Sequence, residues 1–333
     1  MEKINLNVNR VHKKRLVIID LLQGVAMVWV IIGHHLFDFM PAIYHAIHYY
    51  IYSFHMPFFI FISSFLIAYS YKEVPYRTYV YKKFHKFFLP YVLVGIVVIA
   101  LSALKEGIRI VPNNILYLIF SPKQSEATFL WYIYLLFILY AIYPLCRIIF
   151  KKWKVAIEIL LLAMGLYFYF SPLRMQILCV DYFTKYFLFY GLGIMTAWHF
   201  DIVIKYIKQL KIIGLYCLVC FVLLSASVFI VPQNITYVAI CFCAIPAMYS
   251  VVKVVSHQQY IKKALIAISK NCFHIYLIHM FFIQGVAFVF MKLHPFKIES
   301  AGVMVVYLLV SSFIAIIGPV FTFRIIDYVK SRF

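Results

Sequence analysis

Apolar runs of bilayer-spanning length, separated by short basic connectors, organise this chain from end to end. A hydrocarbon core takes about 20 helical residues to cross. Runs of that kind fall near 16–38, 50–70, 88–104, 127–146, 155–171, 182–199, 212–231, 235–252, 272–291 and 301–323. Within lipid every backbone amide must be paired inside the protein, so only helices or closed barrels can span. These runs are uniformly apolar and lack the alternation of a barrel strand. The pattern therefore predicts an all-α integral membrane protein, a bundle of about ten transmembrane helices that forms one domain over residues 1–333.

Composition agrees: 65% of residues are hydrophobic and 13% charged, outside the range of soluble globular domains. Charge adds a direction. Basic residues accumulate in cytoplasmic connections, and 24 of the 31 Lys and Arg fall in 1–15, 72–86, 147–154, 205–211, 253–270 and 324–332. The other 7 lie on the opposite side, whose connectors include 39–49, 105–126 and 292–300. Both termini are therefore expected in the cytoplasm of a multi-pass protein of the cell (plasma) membrane. The net charge of +20 then reflects this bias and attraction to anionic membrane lipid, with no basic domain to hold nucleic acid. Residues 1–15 are polar, and the long run after them lacks a small-residue cleavage site, so the first run is expected to remain as a span. The seven cysteines lie in or at the edges of the runs and read as packing residues. Cys217 and Cys220 form a CxxC without partner ligands, and no metal site is expected.

The informative residues are the ionisable ones inside these runs, where a polar group must face the bundle interior or a wet cavity. His34, His55 and His279 are the three candidates. If the first run is helical throughout, Asp20, Gln23, Met27 and His34 share one stripe, and His35 points about 100° away, as an interfacial residue would. His34 would then lie roughly 27 Å along the axis, near the outer boundary, at a depth similar to His55 on the returning helix. The competing reading of His55 is an interfacial belt with Tyr44, His45, His48, Tyr49, Tyr50 and Tyr52. Cys272, Tyr276 and His279 share one face of the ninth run, with His279 near mid-membrane, while His274 reads as structural.

Four separated patches resemble the membrane-bound acyltransferase 3 family, which includes polysaccharide O-acetyltransferases. Ile19-Asp20-Leu21-Leu22-Gln23-Gly24, followed by His34, is similar to the opening pattern Ile-Asp-x-x-(Arg/Lys)-Gly and its closing histidine. Phe54-His55-Met56-Pro57 resembles the signature of a branch with fucose O-acetylase-like and intercellular-adhesin export-type proteins. Lys82, Lys83 and Lys86 ahead of Pro90-Tyr91 form the third patch; Lys270-Asn271-Cys272 leading to His279, with Trp131-Tyr132, forms the fourth. The chain departs from the pattern at Gln23, where the family usually has Arg or Lys, at Ser63-Ser64 in place of Ser-Gly, and at Cys272, where Ser or Thr is common.

The resemblance implies an O-acyltransferase that takes an acetyl or similar group from cytoplasmic acyl-CoA, such as acetyl-CoA, to a hydroxyl of a surface or lipid-linked glycan. The acyl-CoA is a donor substrate; no tightly bound cofactor is implied. Lys82, Lys83 and Lys86 would attract its phosphates, with Asp20 and Gln23 at the cytoplasmic end of the first helix contributing to the donor site. His34 would accept the proton of the sugar hydroxyl, or form an acyl-histidine; His55 and His279 would orient groups or hold the acceptor. Asp20, roughly 21 Å from His34 along the helix, is too far to orient that ring. Polysaccharide synthesis or export machinery is a further expected partner. The alternative is an export component or transporter that moves a glycan without acyl transfer, a reading favoured by Gln23 and by 28 Tyr and 33 Phe able to stack on sugars.

Overall fold

The computed structural model describes residues 16–107, 111–209, 219–223, 233–293 and 297–332, and every regular element among them is helical. Besides the short 3-10 turns Pro122–Gln124, Thr128–Leu130 and Ile177–Cys179, these are in chain order α1 Val17–Gly33, α2 Ala42–Tyr69, α3 Tyr76–Lys83, a π turn Phe84–Phe88, α4 Leu89–Glu106, α5 Pro112–Phe120, α6 Trp131–Lys152, α7 Lys154–Phe170, α8 Val180–Trp198, α9 Phe200–Gln209, α10 Gln233–Val255, α11 Gln259–Lys270, α12 Cys272–Leu293 and α13 Ala301–Lys330. Six helical stretches among the described residues are long and apolar enough to cross a bilayer: Ala42–Tyr69, Tyr76–Glu106, Thr128–Lys152, Ile177–Trp198, Cys272–Leu293 and Ala301–Lys330. Val17–Gly33 and Phe242–Val255 are shorter apolar helices. The expected run at 155–171 is helix α7, whereas 212–231 lies outside the described residues apart from 219–223.

The helix ends differ from the sequence reading in ways that matter for the site. The first helix stops at Gly33 rather than running to 38, and His34 caps it, its N–H donating to Ile31 O at 3.1 Å. Helix α2 begins at Ala42, inside the expected 39–49 connector, and Tyr44 OH donates to Ile32 O, tying the turn back onto α1. The basic connectors 72–86 and 253–270 are largely helical, as α3 with the π turn and as α11, and α5 fills part of 105–126. These segments mix polar and apolar residues, so a search for uniformly apolar runs passes over them.

Helix α2 is the core of the bundle: 89% of its apolar stretch is buried, against 28% for α13, which leaves its flank for lipid. Two close approaches fix its neighbours. A Cβ on Gly193 of α8 would collide with the Phe61 carbonyl of α2, and one on Gly24 of α1 would lie 2.5 Å from Leu265 O of α11. Small residues let backbones meet in this way where lipid supplies no hydrophobic drive between helices. Pro57 inside α2 has no N–H for the Ser53 carbonyl one turn back.

Candidate active site

A cavity of about 200 Å³ opens among α1, α2, the π turn, α6, α11 and α12. Its polar lining is Gln23 from α1, Ser63 from α2, Lys86 from the π turn, Tyr132 and Tyr140 from α6, Ser269 and Lys270 from α11, and Tyr276 from α12. The π turn has a local cause. Pro90 cannot donate to the Lys86 carbonyl and its ring crowds that turn; the helix widens there, with Leu89 N–H donating to Phe84 O. Single π turns in long helices are frequent at functional sites.

This widening separates the three lysines singled out by sequence. Lys86 lines the cavity. Lys83 is not a lining residue; it lies over Tyr140, 4.1 Å from the ring centroid, with Tyr79 and Phe87 also within 6 Å, a cation-π arrangement on rings of which Tyr140 and Phe87 line the cavity. Lys82 is exposed. The second cation of the cavity is Lys270, which sequence reasoning quoted within a motif but did not place in the site. Gln23 Oε1 accepts from Ser269 Oγ at 2.8 Å, and Ser269 Oγ also lies 3.5 Å from Asp20 Oδ1. Asp20 and Gln23 thus join α1 to the end of α11, next to Lys270.

His34, at the C-terminal cap of α1, meets His279, two turns into α12, with ring centroids 5.1 Å apart. His279 was expected near mid-membrane and His34 near the outer boundary; contact puts them at one level. His279 Nδ1–H donates to Tyr276 O at 2.8 Å, which in the neutral ring leaves Nε2 as a lone pair. That Nε2 is fully buried and has no partner among the described residues. The His34 side chain makes no hydrogen bond among the described residues and stays partly exposed. His55 is buried, donates from Nδ1 to Ile51 O at 2.8 Å and packs on Tyr52, 4.5 Å between centroids.

His35 corrects the interfacial reading. It is fully buried, with Nδ1 2.9 Å from Ile31 O and Nε2 2.8 Å from Ser311 Oγ on α13, and it packs edge-on to Tyr307. Both of its nitrogens are engaged in holding the turn to α13. The histidine doublet therefore divides into one reactive candidate and one structural residue. The divergence expected from helical phase is present, but it arises in a turn beyond the helix end.

An aromatic wall stands between cavity and histidines. The Tyr276 ring lines the cavity and packs on His279 at 5.4 Å, Tyr132 at 4.9 Å and Phe59 at 6.2 Å. Tyr132 OH pairs with Ser63 Oγ at 2.5 Å, and Tyr276 OH donates to Phe129 O at 3.0 Å. At 1.5 Å per residue His34 lies about 16 Å along α1 from Gln23, His55 about 12 Å along α2 from Ser63, and His279 about 10 Å along α12 from Cys272, with Tyr276 between the last two. Ser63, Tyr132, Ser269 and Tyr276 carried a signal in the sequence, as polar side chains inside or bordering apolar runs, but tyrosine is too common here to stand out.

No curated protein and no solved structure matches the chain. The family model for the acyltransferase domain of the acyltransferase 3 type matches residues 16–324, nearly the whole chain. Joined to a helical bundle with several membrane-length apolar helices, that match makes the chain a member of the acyltransferase 3 family, an acyltransferase built as a multi-pass membrane protein.

Proposed function

We propose that the protein transfers an acetyl or similar acyl group from cytoplasmic acyl-CoA to a hydroxyl of a surface or lipid-linked glycan in the plasma membrane. The observation that carries this reading is the two-ended site: a cavity with Lys86 and Lys270 in its wall, and the His34–His279 pair about 10–16 Å along α12 and α1 from the cavity residues Cys272 and Gln23. The CoA phosphates bind at the lysines, on the side that the basic-residue bias assigns to the cytoplasm. Its long arm extends past Tyr276 to bring the thioester carbonyl to His34.

A sugar hydroxyl is a weak nucleophile at neutral pH. As its oxygen attacks the thioester carbon, His34 accepts the proton; the C–S bond then breaks, and the imidazolium returns a proton to the departing CoA sulfur. His279 acts as the orienting partner. Its Nε2 has no partner among the described residues and the His34 ring lies 5.1 Å away by centroids, so in the working complex Nε2 accepts the His34 N–H. That bond leaves the other His34 nitrogen to take the hydroxyl proton and stabilises the imidazolium as it forms.

Mass spectrometry of the surface glycan from cells with the gene, without it, and with His34→Ala tests the proposal. Acyl esters should vanish in the last two while glycan still reaches the surface. Glycan retained inside the cell, with its acyl content unchanged, would instead make the protein an export component.

A further inference from the structure

At the histidine end, α6 and α8 bring together aromatic rings and polar groups to which the proton-transfer scheme gives no task. Trp131 lies across Tyr182, 4.1 Å between centroids and tilted 33°, and is stacked with Tyr186 at 5.6 Å and 17°. Trp131 and Tyr182 both stay partly exposed. Beside them Lys123 Nζ donates to Asp181 Oδ2 at 2.9 Å and sits 4.7 Å above the Tyr182 ring. Burial works against the Lys123 ammonium, but the hydrogen bond and charge of Asp181 outweigh it and hold its pKa above the ordinary lysine value. Gln124 donates to Gln176 at 2.6 Å on the exposed edge of the same connectors.

Backbone strain marks this corner. Leu178 and Cys179 are consecutive non-glycine residues with φ of 53° and 56°, a left-handed conformation that costs free energy and is kept where surrounding structure imposes it. Directly after them α8 begins, and its first turn supplies Asp181, whose Oδ1 accepts from Tyr182 N at 2.8 Å. The strained pair thus sets the direction in which Asp181 and Tyr182 leave the loop.

The cluster adjoins the histidines through one short segment. Phe129 packs edge-on to His279 at 6.1 Å, and Trp131 follows two residues later. Trp131 also packs edge-on to Tyr132 at 6.3 Å, Tyr132 packs on Tyr276 at 4.9 Å, and Tyr276 packs on His279 at 5.4 Å.

We infer that Trp131, backed by Tyr182 and Tyr186 and rimmed by the Lys123–Asp181 pair and Gln176, forms the acceptor subsite and stacks a pyranose ring beside His34. The inference rests on the proposed acyl transfer to a glycan. A pyranose has weakly electropositive C–H faces and hydroxyls around its edge, complementary to the negative face of an aromatic ring surrounded by an ion pair and an amide. Stacking there places the sugar edge, where the hydroxyls are, toward the histidine pair.

The test uses full-length protein in membrane vesicles, with surface glycan of the producing cells stripped of esters by mild alkali and cut to oligosaccharides. A parallel arm supplies the same sugars lipid-linked, and faster transfer in one arm identifies the source of the acceptor. Trp131→Ala should raise the acceptor KM about tenfold, and Gln176→Ala about fivefold. Trp131→Phe should fall between wild type and Trp131→Ala, and the donor KM should stay within about twofold. If Trp131→Ala does not fold, Trp131→Phe and Gln176→Ala decide. Wild-type transfer with an unchanged acceptor KM in every folded variant would overturn the subsite. No transfer to any glycan by wild type would fall on the proposed function instead, and oligosaccharide binding followed by tryptophan fluorescence would then judge the subsite. Binding equal in wild type and the variants would reject it.

Discussion

Gly24→Ala is a small change with a large expected effect on donor use. The added Cβ would lie 2.5 Å from Leu265 O, 3.1 Å from its carbonyl carbon and 3.2 Å from its Cα. All three atoms are backbone, so no side chain can rotate aside. Ordinary contact begins near 3.5 Å, and α11 must move away from α1 by about 1 Å. Overpacking of this kind costs about 1–3 kcal/mol of stability. More telling is where the shift goes: Ser269, bonded to Gln23, and Lys270, on the cavity wall, both stand at the end of α11. A misplacement of about 1 Å in a positioned group can lower turnover by about a hundredfold. Gly285→Ala on α12 is the control, since a Cβ there meets nothing within 4 Å. Acyl-CoA kinetics in membranes should show a higher donor KM and lower kcat for Gly24→Ala, with Gly285→Ala at wild-type values. If Gly24→Ala keeps wild-type donor kinetics and thermal stability in detergent, the α1–α11 contact does not set the site.

Other outcomes follow from the same geometry. His34→Ala should lower kcat by about 10²–10⁴-fold with thermal stability unchanged, whereas His35→Ala, which strands buried Ser311 and empties a packed position, should cost about 1–3 kcal/mol of stability. Equal stability loss in the two variants would refute this division. Replacing Lys86 and Lys270 together by Gln should raise the acyl-CoA KM several-fold and flatten its salt dependence, while Lys82→Gln changes neither; identical donor curves for both would move the CoA site elsewhere. A thiol introduced near Asn113 should react with an impermeant reagent in intact cells, and labelling only after permeabilisation would reverse the proposed orientation.

The helical membrane class was legible because long apolar runs have few physical alternatives. The site was legible only in part. His34, His55 and His279 are conspicuous as ionisable rings in apolar runs, and two of them touch. The separation of His34 from His35, however, depends on where α1 ends, and Gly33 marks that point only weakly beside the apolar residues that follow. The lysines illustrate a different limit. Lys82, Lys83 and Lys86 look alike in the sequence, and the π turn induced around Pro90 decides which one reaches the cavity. Lys270 was hidden for a third reason: α11 is amphipathic and basic, so it reads as a connector until the close approach of Gly24 shows it packed against α1.

The proposed acyl transfer places conflicting demands on the bundle, since a path that admits an acyl arm must not also conduct water and ions. The aromatic wall is suited to both. Tyr132 and Tyr276 are held by one hydrogen bond each, to Ser63 and to Phe129 O, and a typical bond of this kind contributes about 1 kcal/mol net. Displacing one ring therefore costs little compared with the binding energy available from phosphate contacts far from the reacting carbon. Around the wall, the glycine contacts between α1 and α11 and between α2 and α8 leave the backbone no such freedom. In the proposed transfer, opening of the path then falls to the side chains of Tyr132 and Tyr276, while these backbone contacts hold the spacing between the lysines and the histidines.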